Sequence, residues 1–183
     1  MTAGTEHAFA ETYPDLVVVR LRSGVEVLVR PIAPGDKGLL TAFHAGLSSE
    51  SSYRRFLAPK PRLSDQELRD LTEVDFRDHV AFVAVQAQAP GALAGVARWV
   101  RSTSDPAAAE FAFVVTDDLQ RQGLGTALVA RLAESARELG IRRLTATALS
   151  HNLAARRLLA GVSERLDVTV EEGVFRLDGE LAA

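Results

Sequence analysis

The chain has 183 residues and a formal net charge of −3, which suits one domain with room for a substantial core. Apolar residues make up 47% and charged residues 25%, an ordinary globular composition whose charge balance gives no case for non-specific nucleic-acid binding. There is no cysteine, so neither a disulfide framework nor a thiol nucleophile is available.

Glu6 and Glu11 break any basic-then-apolar leader pattern, and no run approaches the roughly 18 apolar residues of a membrane span. A cytoplasmic protein without a membrane partner is expected. Residues 1–14 are small and polar and end at Pro14, which predicts a loose tail before a single domain over 15–183. Two apolar runs, 16–21 and 25–29, flank Ser23-Gly24 and read as a hairpin. Pro31, Pro34 and Gly35 end it, and Asp36 is placed to cap a helix reaching about Leu47. A second short helix is expected over 48–56, stopped by Pro59-Lys60-Pro61. Ser64 with Glu67 resembles a capping box that opens a third. Segments 80–85, 92–100 and 109–115 read as strands. Helix 126–139 follows, with Leu128, Leu132, Ala136 and Leu139 on one face and Gly140 at its stop. Strand 142–149, helix 152–160 and a last hairpin, 166–170 with 174–177, complete the order. This is an α/β (α+β) domain on a mixed sheet.

The informative stretch is Gln120-Arg121-Gln122-Gly123-Leu124-Gly125, between a buried strand and an amphipathic helix. Such a bend aims several N–H groups and the positive end of a helix dipole at one point, which makes a phosphate site. Glycine is wanted where a Cβ would obstruct a phosphate lying on the main chain. A P-loop would need Lys and then Ser/Thr after the last glycine, but Thr126 and Ala127 follow Gly125. A dinucleotide fingerprint would need Gly or Ala at Leu128. Neither fits.

The spacing Gln-x-x-Gly-x-Gly instead resembles the pyrophosphate-binding motif of the GNAT superfamily, acetyl-CoA-dependent N-acetyltransferases. Val115-Thr116-Asp117-Asp118-Leu119 looks like that family's splayed strand end and turn. Asn152-Leu153-Ala154-Ala155 looks like its second cofactor motif. In the first half, Arg30-Pro31-Ile32, Asp36, Phe43-His44, Leu47-Ser48, Ser51 and Tyr53-x-Arg55-Phe56 resemble one branch, the bacterial protein-lysine acetyltransferases, and Ala109-Glu110-Phe111-Ala112 matches it too. In that branch the domain is often fused to a regulatory module. The length here is expected to leave no room for one, so its regulation is not carried over.

The resemblance implies the GNAT fold, acetyl-CoA as co-substrate and an amine acceptor, which the resemblance to that branch makes a protein lysine. It implies cofactor contacts from Phe113, Val114, Val115, Gln120, Arg121, Gln122, Gly123, Leu124, Gly125, Thr126 and Asn152. Most are main-chain contacts, with Arg121 adding a charge-assisted bond. A lysine amine with a pKa near 10.4 is free base to only roughly one part in 10³ at pH 7, so a base is needed. Glu110, a lone carboxylate in an apolar run, is the candidate. It precedes Val115 by about 16 Å of extended chain. The family's usual thiolate-protonating Tyr falls at Leu159. Two alternatives therefore stand beside the lysine reading: acetylation of a small amine, and an idle acyl-CoA-binding sensor. No metal is expected, because the four histidines form no ligand spacing. His79 and His151 read as surface residues, His44 as core-edge or acceptor-side, and Trp99 as core. A monomer or homodimer is expected.

Overall fold

Alternation along the strands decides which residues face which layer. A computed structural model describes residues 16–182, and the tail expected over 1–14 lies outside them. The strands are β1 (Val17–Arg20), β2 (Glu26–Pro31), β3 (His79–Gln86), β4 (Ala89–Arg101), β5 (Ala108–Val115), β6 (Arg143–Leu149), β7 (Ser163–Glu171) and β8 (Val174–Leu181). The helices are α1 (Lys37–Ala45), α2 (Ser49–Phe56), α3 (Asp65–Thr72), α4 (Leu124–Glu138) and α5 (Leu153–Ala160). The strands form one sheet in the order β1-β2-β3-β4-β5-β6-β8-β7. Every pairing is antiparallel except β5 with β6, which α4 connects as a crossover.

One sheet face carries Phe82, Ala97, Trp99, Ala109, Phe111, Leu144 and Leu177, packed with Leu128, Leu132 and Ala136 of α4 and Leu159 of α5. Leu124, Leu128 and Leu132 recur every fourth residue and are fully buried, each contributing about 1.5–3 kcal/mol of transfer free energy. Trp99 is in this core, as its sequence setting suggests, and its indole N–H donates to Ser135 Oγ at 3.0 Å. The opposite face carries Ala81, Val83, Val85 and Val96 under Leu40, Phe43 and Leu68 of α1 and α3.

The predicted elements are all present, with three corrections. Asp36 precedes α1, yet its carboxylate does not cap it. It takes a bidentate pair from Arg30 at 2.7 and 2.8 Å and the Ala33 N–H at 2.8 Å. A planar guanidinium matched to a carboxylate outcompetes a lone amide donor. His79 is no free surface residue: half-buried at the start of β3, its Nε2 lies 3.1 Å from Arg98 Nη1. The last hairpin runs longer than the apolar residues suggested. Its outer face alternates charge, with Asp167 opposite Asp178 and Thr169 opposite Arg176, which hides the strand from a reading of apolar runs.

Candidate active site

β5 pairs with β6 only at Ala108 with Arg143, Ala109 with Leu144 and Glu110 with Thr145. Beyond that point both strands continue, to Val115 and Leu149, but they diverge. The result is a wedge in mid-sheet with Glu110 at its vertex. Thr116 N donates to Ala94 on the β4 side, so by strand alternation the main-chain groups of Phe113 and Val115 point into the wedge. Unpaired groups there demand a partner.

The wedge opens into a cleft with about 930 Å³ of empty space, counting its mouth. Phe113, Val114, Val115, Gln120, Arg121, Gly125 and Asn152, all expected at the cofactor site, line it, together with Arg54 and Arg55 of α2. Gln122, Gly123, Leu124 and Thr126 belong to the same turn but not to the lining. The side chain of Leu124 is fully buried in the core. Glu110 stands one residue beyond the inner end of the lining and is exposed. Its charge acts through space on Arg55.

The turn between β5 and α4 is built to present amides. Arg121 and Gly123 both hold left-handed backbone, φ +59° and +99°, so successive N–H groups converge. The first intrahelical bond of α4 runs from Ala127 N to Gly123 O. The amides of Leu124, Gly125 and Thr126 therefore have no helical acceptor and form the positive end of the dipole. The turn is also tethered from outside, because Arg22 N donates to Gln122 O at 3.1 Å.

Two side chains expected to reach the ligand have structural partners as well. Gln120 Nε2 donates to Ser51 Oγ at 3.0 Å and to the Val115 carbonyl at 3.2 Å. Asn152 caps α5 by accepting from Ala155 N at 3.3 Å. Leu159 is fully buried and packs toward Gly179, whereas Leu158 lines the cleft.

Sequence reasoning missed the latch between α2 and the turn. Asp117 accepts from Ser48 N, Ser48 Oγ and Ser51 Oγ at 3.0, 2.8 and 2.7 Å. Burial alone would raise its carboxyl pKa. The bonds from Ser48 and Ser51 outweigh burial and hold it below the ordinary value. It also missed Arg98, 5% exposed on β4. The available signal was a charge inside the apolar run Gly95-Val96-Ala97-Arg98-Trp99.

Among the described residues there is no His/Cys/Asp/Glu cluster fit for a metal and no helix long and apolar enough to cross a membrane.

Comparison with known proteins agrees with this geometry. The family model described as Acetyltransferase (GNAT) family matches residues 48–161. Acetyltransferase Pat of Mycolicibacterium smegmatis is 35% identical over 143 residues, 78% of this chain and 42% of that protein. The chain thus spans less than half the length of that relative. An acetyltransferase of Pseudomonas aeruginosa is 30% identical over 158 residues, 85% of this chain and 84% of its own. Among solved structures, the GNAT domain of S. lividans PAT superposes with a TM-score of 0.81 at 35% identity, covering 91% of this chain and 97% of that one. More distant in sequence, at 22% identity, the Salmonella typhimurium acetyltransferase yncA with its cofactor acetyl-CoA shares the fold, TM-score 0.66, over 85% and 94% of the two chains. The wedge, the amide-presenting turn and the matched family model lead to one conclusion: the chain belongs to the acetyltransferase (GNAT) family.

Proposed function

We propose that this protein transfers the acetyl group of acetyl-CoA directly to a primary amine, with a protein lysine as acceptor. The observation that carries the reading is the wedge, open at a turn of unpartnered amides and closed at Glu110. The diphosphate lies on the turn, where the amides and the helix dipole receive its charge. The pantetheine arm pairs with the main-chain groups of Phe113 and the Val115 N–H, the Val115 carbonyl already accepting from Gln120, and the thioester lies toward the vertex. Glu110, directly or through one water, takes a proton from the acceptor ammonium. The freed nitrogen forms a C–N bond to the thioester carbon. The tetrahedral adduct loses the second proton of its nitrogen to solvent and expels the CoA thiolate, which takes a proton from solvent to become the thiol.

A thiol with a pKa near 8.5 is a tolerable leaving group, so solvent suffices where the family's Tyr is replaced by the buried Leu159. Direct transfer fits the absence of cysteine. The resemblance of the N-terminal half to protein-lysine acetyltransferases and the 35% identity with the GNAT domain of S. lividans PAT support lysine as acceptor. The cytoplasm is the setting this reading requires, since the co-substrate is intracellular.

The test is Glu110→Gln, with thiol release followed against a panel of lysine peptides. Turnover should fall by on the order of 10²-fold, while acetyl-CoA affinity by calorimetry stays within about twofold. Undiminished turnover would remove Glu110 from the chemistry.

A further inference from the structure

Behind β5, on the face covered by α1, α2 and α3, lies a second, narrow hollow with about 370 Å³ of empty space, counting what is open to solvent. It shares Arg55, Ala112 and Val114 with the cleft. Its wall is mostly apolar, yet His44, Arg55 and Arg98 also line it. His44 is 7% exposed, and its buried Nε2 has no hydrogen-bond partner. Arg98 donates to the Leu71 carbonyl and lies against His79 Nε2, each at 3.1 Å. Both partners are neutral, because burial first and the Arg98 cation second pull His79 down to about 4. Arg55 lies against the Phe56 ring, 5.1 Å from its centroid. Among the described residues neither guanidinium has a carboxylate within ion-pair distance. Burial, and then the Arg55 charge, lower Arg98 to about 9. Two like charges held close are costly when the one carboxylate acting on them, the exposed Glu110, reaches Arg55 only through space, and an anion seated between them lowers that cost.

We propose that this hollow seats a carboxylate carried by the acceptor, so that the preferred substrate is an amine with a carboxylate a short distance away. Arg98 lies opposite Ala112 in the β4–β5 register, two residues along β5 from Glu110. Two strand residues span roughly 6.6–7 Å, which corresponds to about five or six bonds between the amine nitrogen and the carboxylate carbon. A free ω-amino acid satisfies this spacing along its own chain, whereas a protein lysine beside an aspartate, about ten bonds apart, meets the same roughly 6.6–7 Å only when the two side chains fold toward each other. The proposal rests on the reading of Glu110 as the base at the thioester.

The probes are 5-aminopentanoate against its neutral carboxamide, and lysine peptides flanked by Asp against the same peptides flanked by Asn. Each pair is titrated calorimetrically into the protein holding CoA, and each is assayed for transfer with acetyl-CoA. At least one acid should bind, and react by kcat/KM, about tenfold better than its neutral partner. A preference confined to the small acid identifies a free amino acid. One confined to the peptides identifies a protein. Arg55→Gln should abolish the preference mainly through KM, and Arg55→Lys should restore part of it. Arg98 is left intact because it braces Leu71 and His79. Equal behaviour of acid and neutral partner in both arms overturns the proposal. Calorimetric discrimination without transfer to any amine would sustain the carboxylate seat while refuting the proposed acetylation.

Discussion

Gly123 shows how one residue can answer to its backbone and, on the proposed reading, to a ligand as well. A Cβ built there meets nothing within 4 Å, so space does not demand glycine. The demand comes from φ +99° and, on the proposed function, from the close approach of a phosphate. Gly123→Ala should cost about 1–2 kcal/mol of stability, a fall in Tm of about 3–6 °C for a domain of this size, and weaken acetyl-CoA binding more than about tenfold in calorimetry. His79 makes a different prediction. Its folded pKa of about 4 lies below the roughly 6.5 of the unfolded chain, so between these values the unfolded state binds the extra proton. Stability from this group is complete above about pH 6.5 and is lost as pH falls toward 4, by on the order of 2 kcal/mol once partial solvation is allowed for. Urea midpoints over that range should slope less in His79→Gln, whose amide oxygen can still accept from Arg98. The turn glycine was legible in the sequence because a left-handed backbone is a local property. The histidine was misread because Arg98 meets it across a strand pair, 19 residues away.

At the scale of elements, helices and strands were largely readable, since amphipathic period and caps are properties of neighbouring residues. Ser64 and Glu67 form the capping box their spacing announces. Ser48 caps α2, accepting from Ser51 N at 3.1 Å. What the sequence left hidden were joints between elements, the Arg30–Asp36 pair and the Asp117 latch, whereas the splay of β5 was expected from the resemblance alone. Each joint is decided by which segments meet in space. Because Asp117 ties α2 to the cofactor turn through Ser48 and Ser51, Asp117→Ala should disturb both sides together. Acetyl-CoA Kd and acceptor KM should each rise by roughly three- to tenfold, corresponding to about 1 kcal/mol for one lost anionic acceptor. An unchanged acceptor KM would argue against the latch. The bridges from Arg143 to Asp105 and Asp178 are substantially exposed, and Asp178→Asn should move stability by less than about 1 kcal/mol.

For the whole molecule, occupancy of the wedge should raise stability by mass action. At about 100 times Kd the gain is roughly 2.7 kcal/mol, a rise in Tm of about 5–11 °C, measurable by thermal unfolding with and without acetyl-CoA. Gly179 on β8 offers a control remote from the ligand. A Cβ there would collide with Ser163 Oγ and come within 2.9 Å of Leu159 Cγ. Gly179→Ala should therefore cost about 1–3 kcal/mol without changing the ligand-induced shift. The short seam between β5 and β6 has a mechanical corollary. Empty, the protein is two half-sheets, β1 to β5 and β6 to β8, stitched along residues 108–110 and 143–145 and backed by α4. The amides of Phe113 and Val115 along the gap lie beyond the β5–β6 pairing, so deuterium should enter them faster in the protein without cofactor than once the nucleotide thioester has filled the missing rung.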